Sequence, residues 1–137
     1  MKNETKDLVI HLSIGTFFLI IGFFMLLGWT KDNYGAIKCV DGDTFAIGSV
    51  YYRLAYIDTA EKDEPTYVAS SKFTCDYLNH NKFKLKTLGL DKYGRTLVIV
   101  NPDKEYSLND LLAKECLAEP FYGSTTDKVL ELHNKCK

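Results

Sequence analysis

The chain of 137 residues has room for one compact domain, which shares that length with an apolar N-terminal stretch. A formal net charge of -1 excludes binding of a polyanion through a broad basic face. A nucleic acid partner would therefore need a local cluster of positive charge or a metal ion.

The first predicted element is an apolar segment at residues 8–29, which reads LVIHLSIGTFFLIIGFFMLLGW. It contains no Asp, Glu, Lys or Arg, and its length matches the roughly 20 residues with which a helix crosses the hydrocarbon core of a bilayer. Trp29 fits an aromatic anchor at the membrane interface. A cleaved signal peptide and a buried helix of a soluble core are the alternatives, but a signal peptide usually has a shorter apolar region that ends in small residues. We expect a transmembrane signal anchor.

This segment divides the chain into four parts. Residues 1–7 form a short polar tail, residues 8–29 the predicted span, residues 30–34 a connector and residues 35–137 a soluble domain. Lysines occur on both sides of the span, so the positive-inside rule discriminates little between the two orientations. Because the N-terminal tail is short, we expect it inside the cell and the domain on the outer face of the cell membrane.

The soluble domain begins with strand patterns. Residues 36–40, 44–47 and 50–57 are rich in β-branched and aromatic side chains and are separated by turns, which predicts a meander. Residues 82–90 alternate between polar and apolar side chains, and residues 93–100 follow after a glycine turn. Two further strands are therefore expected.

Helices complete the predicted domain. A helical pattern occupies residues 65–79, Ser107 is a suitable cap for a helix to Cys116, and Ser124 or Thr125 is a suitable cap for a last helix to the C-terminus. Several short strands with one helix between the third and the fourth favour a small closed barrel of the five-stranded OB type. The predicted fold class is α+β, mainly β: a five-stranded OB-fold barrel with about three packed helices, preceded by a single N-terminal transmembrane helix.

Three motifs contain most of the chemically informative residues. The first, CVDGDTF, places Asp41 and Asp43 on either side of a glycine. A tight turn there would hold two carboxylates near one point, as an oxygen-seeking cation requires. Asp-Gly-Asp is also common in plain hairpin turns, so this motif alone leaves both interpretations open.

The second motif, RLAYIDTAE, combines one arginine with two carboxylates. Arg53 lies inside an apolar strand, Asp58 closes the strand, and Thr59 and Glu61 follow in the turn. A charge inside a strand needs a partner or an open pocket. Strict alternation puts Arg53 and Asp58 on opposite faces, so they converge only if the chain twists or leaves the sheet near Ile57. A structural salt bridge is the alternative to a functional site.

The third motif, LDKYGRTLVIV, places Arg95 just after a glycine at the start of a strand, with Tyr93 close by. A plain hairpin with a solvated arginine is the alternative here. Arginine binds phosphate oxygens with two parallel hydrogen bonds, and carboxylates hold a divalent cation that neutralises charge during attack on phosphorus. Two arginines with three or more carboxylates, and no suitably spaced His or Cys, favour phosphodiester hydrolysis.

Four segments in this order, DGDT, YRLAYIDTAE, LDKYGRTLVIV and SLNDLLAKECLAE, resemble the staphylococcal thermonuclease family over about residues 36–122. The resemblance implies an OB-type barrel with packed helices and Ca²⁺-dependent hydrolysis of DNA and RNA. By motif position it also implies that Asp43 and Asp58 are calcium carboxylates, that Thr59 is a ligand through its backbone carbonyl and that Asp41 supports them. Arg53 and Arg95 would bind the phosphate, and Glu61 would be the acid that orients or deprotonates the attacking water. Tyr93 and Tyr122 would be aromatic walls of the nucleotide pocket.

Some features depart from the family pattern. Ala60 stands where the family usually has proline, so the turn that carries the predicted catalytic acid is less restrained. The loop at residues 62–66 is shorter and contains Asp63 and Glu64, which would repel the phosphates of a long polymer. Short or single-stranded substrates are therefore expected. The C-terminal helix at residues 126–137 is clipped, so the domain would need other sources of stability.

The four cysteines bear on that stability. They show no CxxC spacing, which argues against structural zinc. Cys39 and Cys75 fall in core-like patterns and are expected to be buried thiols. Cys116 and Cys136 lie in the last two helical segments and would form a disulfide only if the domain faces an oxidising space, which leaves their state open.

The sequence therefore predicts a membrane-anchored, Ca²⁺-dependent, sugar-nonspecific nuclease. Its expected partners are a nucleic acid substrate and the membrane, with no protein partner and a monomeric state. The alternative is a catalytically weak or inactive thermonuclease-like module that binds nucleic acid or protein. Such modules usually lose the arginines or the metal carboxylates, whereas this chain keeps Asp43, Asp58, Arg53, Glu61 and Arg95. This favours the enzyme.

Overall fold

Residues 35–137, the part of the chain that the computed structural model describes, form seven strands and three helices. In chain order these are β1 (Ile37–Cys39), β2 (Thr44–Ile47), β3 (Val50–Leu54), β4 (Ile57–Thr59), α1 (Tyr67–His80), β5 (Leu85–Leu90), β6 (Thr96–Val100), α2 (Leu108–Lys114), β7 (Ala118–Pro120) and α3 (Asp127–Asn134). Within this part of the chain, no helix is long and apolar enough to cross a bilayer. The predicted tail, span and connector at residues 1–34 lie outside the described residues.

Five of the strands form one sheet in the order β1-β2-β3-β6-β5. Neighbours in this sheet are antiparallel except β3 and β6, which are parallel. β4 and β7 form a separate antiparallel pair. The mainly β class and the three helices are as expected, and closure of the five strands into an OB-type barrel stays a prediction.

The strand predicted at residues 50–57 is wrong in one respect, because the structure breaks it after Leu54. Tyr56 has a φ of 71°, a left-handed conformation that a bulky residue rarely adopts, and the chain changes sheet at this point. Arg53 bridges the break, since its Nη1 donates to the carbonyl oxygens of Leu54 at 2.7 Å and Ile57 at 3.0 Å. The chain thus leaves the sheet near Ile57.

The buried side-chain amide of Asn109 on α2 forms hydrogen bonds to the backbone next to the same break, on the side of the hydrophobic core. The Nδ2 of Asn109 donates to the carbonyl oxygens of Ala55 at 2.9 Å and Val98 at 3.0 Å, and its Oδ1 accepts the N–H of Val100 at 3.1 Å. Asn109 is almost fully buried, so these bonds satisfy its amide. The side chain therefore fixes α2 against β6 and against the turn that follows Arg53.

The helix starts differ slightly from the predicted ones. Ser107 caps α2 as expected, with a reciprocal capping box to Asp110. α1 begins at Tyr67 instead of residue 65. The cap predicted for the last helix is wrong, because Thr126, and neither Ser124 nor Thr125, accepts the N–H of Val129 at the start of α3.

The hydrophobic core lies where the sheets meet the helices. α2 packs against α3, β6 and β7, and α1 packs against β1 and α2. The fully buried large side chains of this core are Phe45, Leu54, Ile57, Leu78, Val98, Val100, Leu108, Leu112 and Val129. Their burial fixes the strand ends and turns that carry the polar residues described below.

Two disulfides cross-link the domain. Cys39 on β1 is bonded to Cys75 on α1, and Cys116 after α2 is bonded to Cys136 after α3. The prediction that Cys39 and Cys75 are buried thiols is wrong, because the packing of α1 against β1 brings their half-buried sulfurs together. The sequence left open whether Cys116 and Cys136 are free thiols or a disulfide. In the structure they form a disulfide.

Candidate active site

The turn between β1 and β2 is organised by Asp41. Its Oδ1 accepts the backbone N–H groups of Asp43 at 3.1 Å and Thr44 at 2.8 Å. Such an aspartate turn leaves Asp43 at the start of β2, where its side chain is buried. Asp41 therefore supports the position of Asp43 through the backbone.

Helix α1 presses directly against this turn. The hydroxyl of Thr74 donates to the carbonyl oxygen of Gly42 at 2.6 Å. A Cβ on Gly42 would lie 2.6 Å from the Oγ of Ser70 and 2.8 Å from the Oγ1 of Thr59. Gly42 is therefore required for close packing between the turn, α1 and β4.

Arg53 joins two carboxylates that the sequence places 15 residues apart, at Asp43 and Asp58. Its Nη1 lies 3.3 Å from the Oδ2 of Asp43, and its Nη2 lies 2.8 Å from the Oδ1 of Asp58. Arg53 is itself buried, and its guanidinium carbon lies 5.6 Å from the centre of the Phe121 ring, within the range of a cation–π contact. Both the salt bridge and the convergence considered from the sequence are present in one arrangement.

Asp43 is held on both of its oxygens. Its Oδ2 accepts the backbone N–H of Thr59 at 3.0 Å, and its Oδ1 accepts the hydroxyl of Thr44 at 2.9 Å. The bond to Thr59 crosses from β2 to β4, so the two strands that carry Asp43 and Asp58 are tied together at this carboxylate. The side chain of Asp58 is more than half exposed, whereas that of Asp43 is buried.

Negative charge is in excess on this side of the site. Partial burial and then the charge of Asp43 raise the pKa of Asp41, against the effect of its backbone hydrogen bonds. Burial likewise raises the pKa of Asp58, and the neighbouring Asp43 and Glu61 add to this effect while Arg53 opposes it. The carboxylates are therefore close enough to repel one another.

Glu61 lies in the exposed turn after β4. Within residues 35–137 its carboxylate has no hydrogen bond or ion pair, while its backbone N–H donates to the side chain of Glu64. Glu64 thus folds the short acidic loop back onto itself. The carboxylate of Glu61 remains available at the edge of the site.

Arg95 is oriented by an aspartate that the sequence analysis missed. The Oδ2 of Asp91 accepts from the Nε of Arg95 at 2.7 Å, and its Oδ1 accepts the backbone N–H groups of Tyr93 and Arg95, each at 2.9 Å. Burial alone would raise the pKa of Asp91, but these hydrogen bonds and the charge of Arg95 lower it. The role of Asp91 could have been predicted from the sequence, because Asp91 begins a glycine turn and aspartate at such a place often bonds to the backbone.

Most of the predicted site residues line one cavity of about 750 Å³. The structure brings these predicted residues together there: Asp41, Asp43, Arg53, Asp58, Glu61, Tyr93 and Arg95. Asp91 and Phe121 also line the cavity and were not predicted.

Two predicted residues do not line this cavity. The hydroxyl of Thr59 faces Gly42, and the backbone N–H of Thr59 is bonded to Asp43. Tyr122 is fully exposed, and the structure does not bring it to the cavity wall. Its neighbour Phe121 occupies that place, because the backbone N–H of Phe121 is bonded to the carbonyl of Tyr56 at 2.9 Å.

The side-chain donors of this cavity that could bind a metal ion are carboxylates. Among residues 35–137, no group of three or more His, Cys, Asp or Glu side chains has the geometry of a metal site. A cation here would thus have two carboxylates, those of Asp43 and Asp58, and would need backbone carbonyl and water oxygens to complete its coordination, as Ca²⁺ accepts. The excess of negative charge and the all-oxygen donors fit such an ion.

A family model described as "Staphylococcal nuclease homologue" matches residues 51–137. A protein of Haemophilus influenzae (strain ATCC 51907 / DSM 11121 / KW20 / Rd), described as "Uncharacterized endonuclease", is 29% identical over 104 residues, which cover 72% of this chain and 58% of that protein. This chain thus spans little more than half the length of that relative. With the family model covering more than half of the residues, the chain belongs to the family of staphylococcal nuclease homologues.

Proposed function

We propose that the chain is a Ca²⁺-dependent nuclease that hydrolyses phosphodiester bonds in DNA, RNA or both. Membership of the nuclease family and the relative described as an endonuclease support a phosphodiester hydrolase at the general level. The observation that carries the proposal is the single cavity into which Arg53, Arg95 and the carboxylates of Asp43, Asp58 and Glu61 open.

Arg53 and Arg95 would bind the phosphate group from two sides. Within residues 35–137 the Nε–H of Arg53 has no hydrogen-bond partner, so a guanidinium with five N–H donors keeps capacity for a phosphate oxygen. Arg95 is fixed by Asp91 and by the hydroxyl of Thr44 at 3.1 Å. Fixed donors of this kind stabilise the charge that develops on phosphate oxygens during attack.

Glu61 would position the attacking water or take its proton. Its carboxylate faces the cavity without a partner among residues 35–137, which leaves both oxygens for water. Asp43, Asp58 and the backbone carbonyl of Thr59 would hold the cation. When bound, Ca²⁺ would supply charge neutralisation at the phosphate.

A second candidate function is a nucleic-acid-binding module with little or no catalysis. It is favoured by the ion pairs of Arg53 with both Asp43 and Asp58, because these pairs neutralise part of the negative charge that would hold the cation needed for hydrolysis. Because the module would lack hydrolysis but keep binding, the two functions differ in a direct assay.

The deciding experiment is hydrolysis of fluorescently labelled single-stranded DNA and RNA by the full-length chain in mild detergent. We expect cleavage with Ca²⁺ and none with EDTA. Glu61→Gln and Arg53→Ala should each lower kcat at least about a hundredfold. Lys84→Ala is the control, since among residues 35–137 this exposed side chain pairs only with exposed Asp103, at 3.6 Å. Binding without cleavage by the unmutated chain would replace the nuclease with the binding module.

We also propose that residues 8–29 anchor the protein in the cell membrane with the domain on the outer face. The two disulfides support this placement, because disulfides persist in oxidising compartments. Protease added to intact cells should remove the domain and leave the anchor in the membrane fraction. Protection of the domain in intact cells, with digestion after lysis, would place it on the inner side.

A further inference from the structure

A second groove, of about 710 Å³, continues from the proposed active site. It shares Asp41, Glu61, Tyr93 and Arg95 with the first cavity and adds Val50 and Tyr51 from the start of β3. Because the two spaces share these four residues, they are neighbours, and a substrate strand bound at the first would have the second beside it.

The register of the sheet places Tyr51 in line with both arginines. Tyr51 and Arg53 are two residues apart on β3, so their side chains lie on the same face, about 7 Å apart along the strand. In the parallel pairing of β3 with β6, Tyr52 is opposite Thr96 and Arg53 is opposite Leu97. Continued by one position, this register brings Tyr51 level with Arg95.

Tyr51 does not pack into the hydrophobic core. The alternate residue, Tyr52, stacks on Phe45 with ring centres 5.3 Å apart, whereas Tyr51 is 44% exposed. Across the sheet, Tyr51 faces the small side chain of Ala46 on β2. Within residues 35–137 its hydroxyl forms no hydrogen bond, and the residue lines the groove.

A second aromatic ring, that of Tyr93, lines the same groove. Tyr93 is 72% exposed, and the guanidinium carbon of Arg95 lies 5.5 Å from its centre. Exposed aromatic rings beside fixed positive charge are the usual platform for unpaired bases, because every base can stack on a ring. A base in a duplex keeps both faces stacked on its neighbours and is not free for such a contact.

We propose that Tyr51 stacks on the unpaired base of a nucleotide next to the scissile phosphate, and so selects single-stranded nucleic acid. This inference rests on the proposed nuclease function and adds to it a residue that binds substrate and a physical reason for the single-stranded substrates expected from the sequence. Tyr51 would contribute equally before and during the reaction, so its loss would raise KM and leave kcat unchanged.

The test uses short single-stranded DNA in which one natural phosphodiester lies among uncleavable methylphosphonate links. Three versions are compared: one with both flanking bases, one abasic on the 5′ side and one abasic on the 3′ side of that bond. For the first, we expect Tyr51→Ala in the full-length chain to raise KM about fivefold to tenfold, the lower range for loss of a base–aromatic stack. For one of the abasic versions, Tyr51→Ala should have no effect.

Three further variants separate stacking from folding. Tyr51→Phe keeps the ring and should retain the KM of the unmutated chain, whereas Tyr51→Leu keeps an apolar side chain without a ring and should behave like Tyr51→Ala. Val68→Ala is the matched control, because it removes an exposed apolar side chain from α1, away from both spaces. An equal effect of Tyr51→Ala on all three DNA versions would overturn the inference and leave the nuclease intact.

A fluorescence measurement covers the case in which the unmutated chain cleaves none of the three. 2-Aminopurine, placed at each flanking position in turn, loses fluorescence when it stacks. Quenching by the unmutated chain that is absent in Tyr51→Ala would support the stacking contact and refute only the nuclease. Quenching that does not depend on Tyr51 would overturn the inference as well.

Discussion

Arg95 donates a hydrogen bond to the hydroxyl of Thr44 at 3.1 Å, across 51 positions of the sequence. The same hydroxyl donates to the Oδ1 of Asp43 at 2.9 Å. Thr44 thus connects one proposed phosphate-binding group with one proposed metal carboxylate. The positions of the two groups are coupled through a single buried oxygen.

Replacement of Thr44 by valine should uncouple them. Valine has the same shape but no hydroxyl, so buried Asp43 and half-buried Arg95 each lose a hydrogen-bond partner. We expect the free energy of unfolding to fall by about 1–3 kcal/mol and kcat/KM on single-stranded DNA to fall about tenfold. Urea unfolding and steady-state kinetics measure the two effects. Thr44→Ser keeps the hydroxyl and should stay close to the unmutated chain; equal behaviour of both variants would contradict the coupling.

Replacement of Gly42 by alanine should destabilise the domain by overpacking. The new Cβ would lie 2.6 Å from the Oγ of Ser70, so α1 or the turn has to move. We expect a loss of about 1–3 kcal/mol in the free energy of unfolding. Gly35→Ala is the control, since a Cβ there meets only the backbone N of Gly48, at 3.9 Å, and should change the value by less than about 0.5 kcal/mol. Similar values for both variants would show that the turn has free space.

Removal of the disulfides should have unequal effects on activity. They join residues 36 and 20 positions apart, so in the chain-entropy model each contributes about 3–4 kcal/mol to stability. Cys39–Cys75 flanks the turn that carries Asp43, whereas Cys116–Cys136 joins the ends of α2 and α3. We expect the serine double variant at Cys39 and Cys75 to lose more kcat/KM than the one at Cys116 and Cys136, at a temperature where both are folded. The reverse order would disprove a positioning role for the first disulfide.

The ion pair of Asp91 with Arg95 should make the free energy of unfolding depend on pH. Because the pKa of Asp91 is lower in the folded than in the unfolded chain, its contribution is complete above the unfolded value of about 3.9. It is lost as the pH falls through the folded value. Asp91→Asn should therefore destabilise the protein at pH 7 and have little effect near pH 2, as measured by urea unfolding across pH.

Asp103→Asn is the comparison for Asp91→Asn. Asp103 also pairs with a cation, Lys84, but at 3.6 Å and with both side chains exposed. Such a pair contributes about 0–1 kcal/mol, so a small effect without a marked pH dependence is expected. A pH profile for Asp91→Asn as flat as that of Asp103→Asn would contradict the assignment.

Asp41→Asn should stabilise the protein without metal and weaken its response to calcium. The pKa of Asp41 is raised, first by burial and then by Asp43, so its charged form is less favourable in the folded chain. In EDTA the variant should gain stability above the folded pKa, and the gain should vanish as the pH falls below the unfolded value of about 3.9. Thermal unfolding with EDTA and then Ca²⁺ tests both parts. A larger calcium stabilisation in Asp41→Asn would contradict the role of Asp41 as support for the metal carboxylates.

Sequence patterns correctly predicted the features that depend on contacts between residues close together in the chain. The helix cap at Ser107 and the turn that begins with Asp41 depend on residues within four positions of one another, and both are present. The motif around Arg53 also contains its own partner, Asp58, five residues away. The sequence could therefore name the members of the proposed site before their distances were known.

The features that the sequence did not predict depend on contacts between distant segments. Phe121 lies beside Arg53 only because β7 pairs with β4, and Thr44 meets Arg95 only because β2, β3 and β6 are neighbours. Residue type and spacing in one segment contain no information about which other segment will pack against it.

The order of amino acids sets the chemical groups that this protein can use: its arginines, carboxylates and aromatic rings, and the turns on which they lie. Folding sets which of these groups meet and which rings stay exposed. The break after Leu54 turned Asp58 toward Arg53, and the packing of α1 against β1 joined Cys39 to Cys75. The physical reason is that backbone conformation follows largely from neighbouring residues, whereas pairing across the fold follows from burial of one shared core.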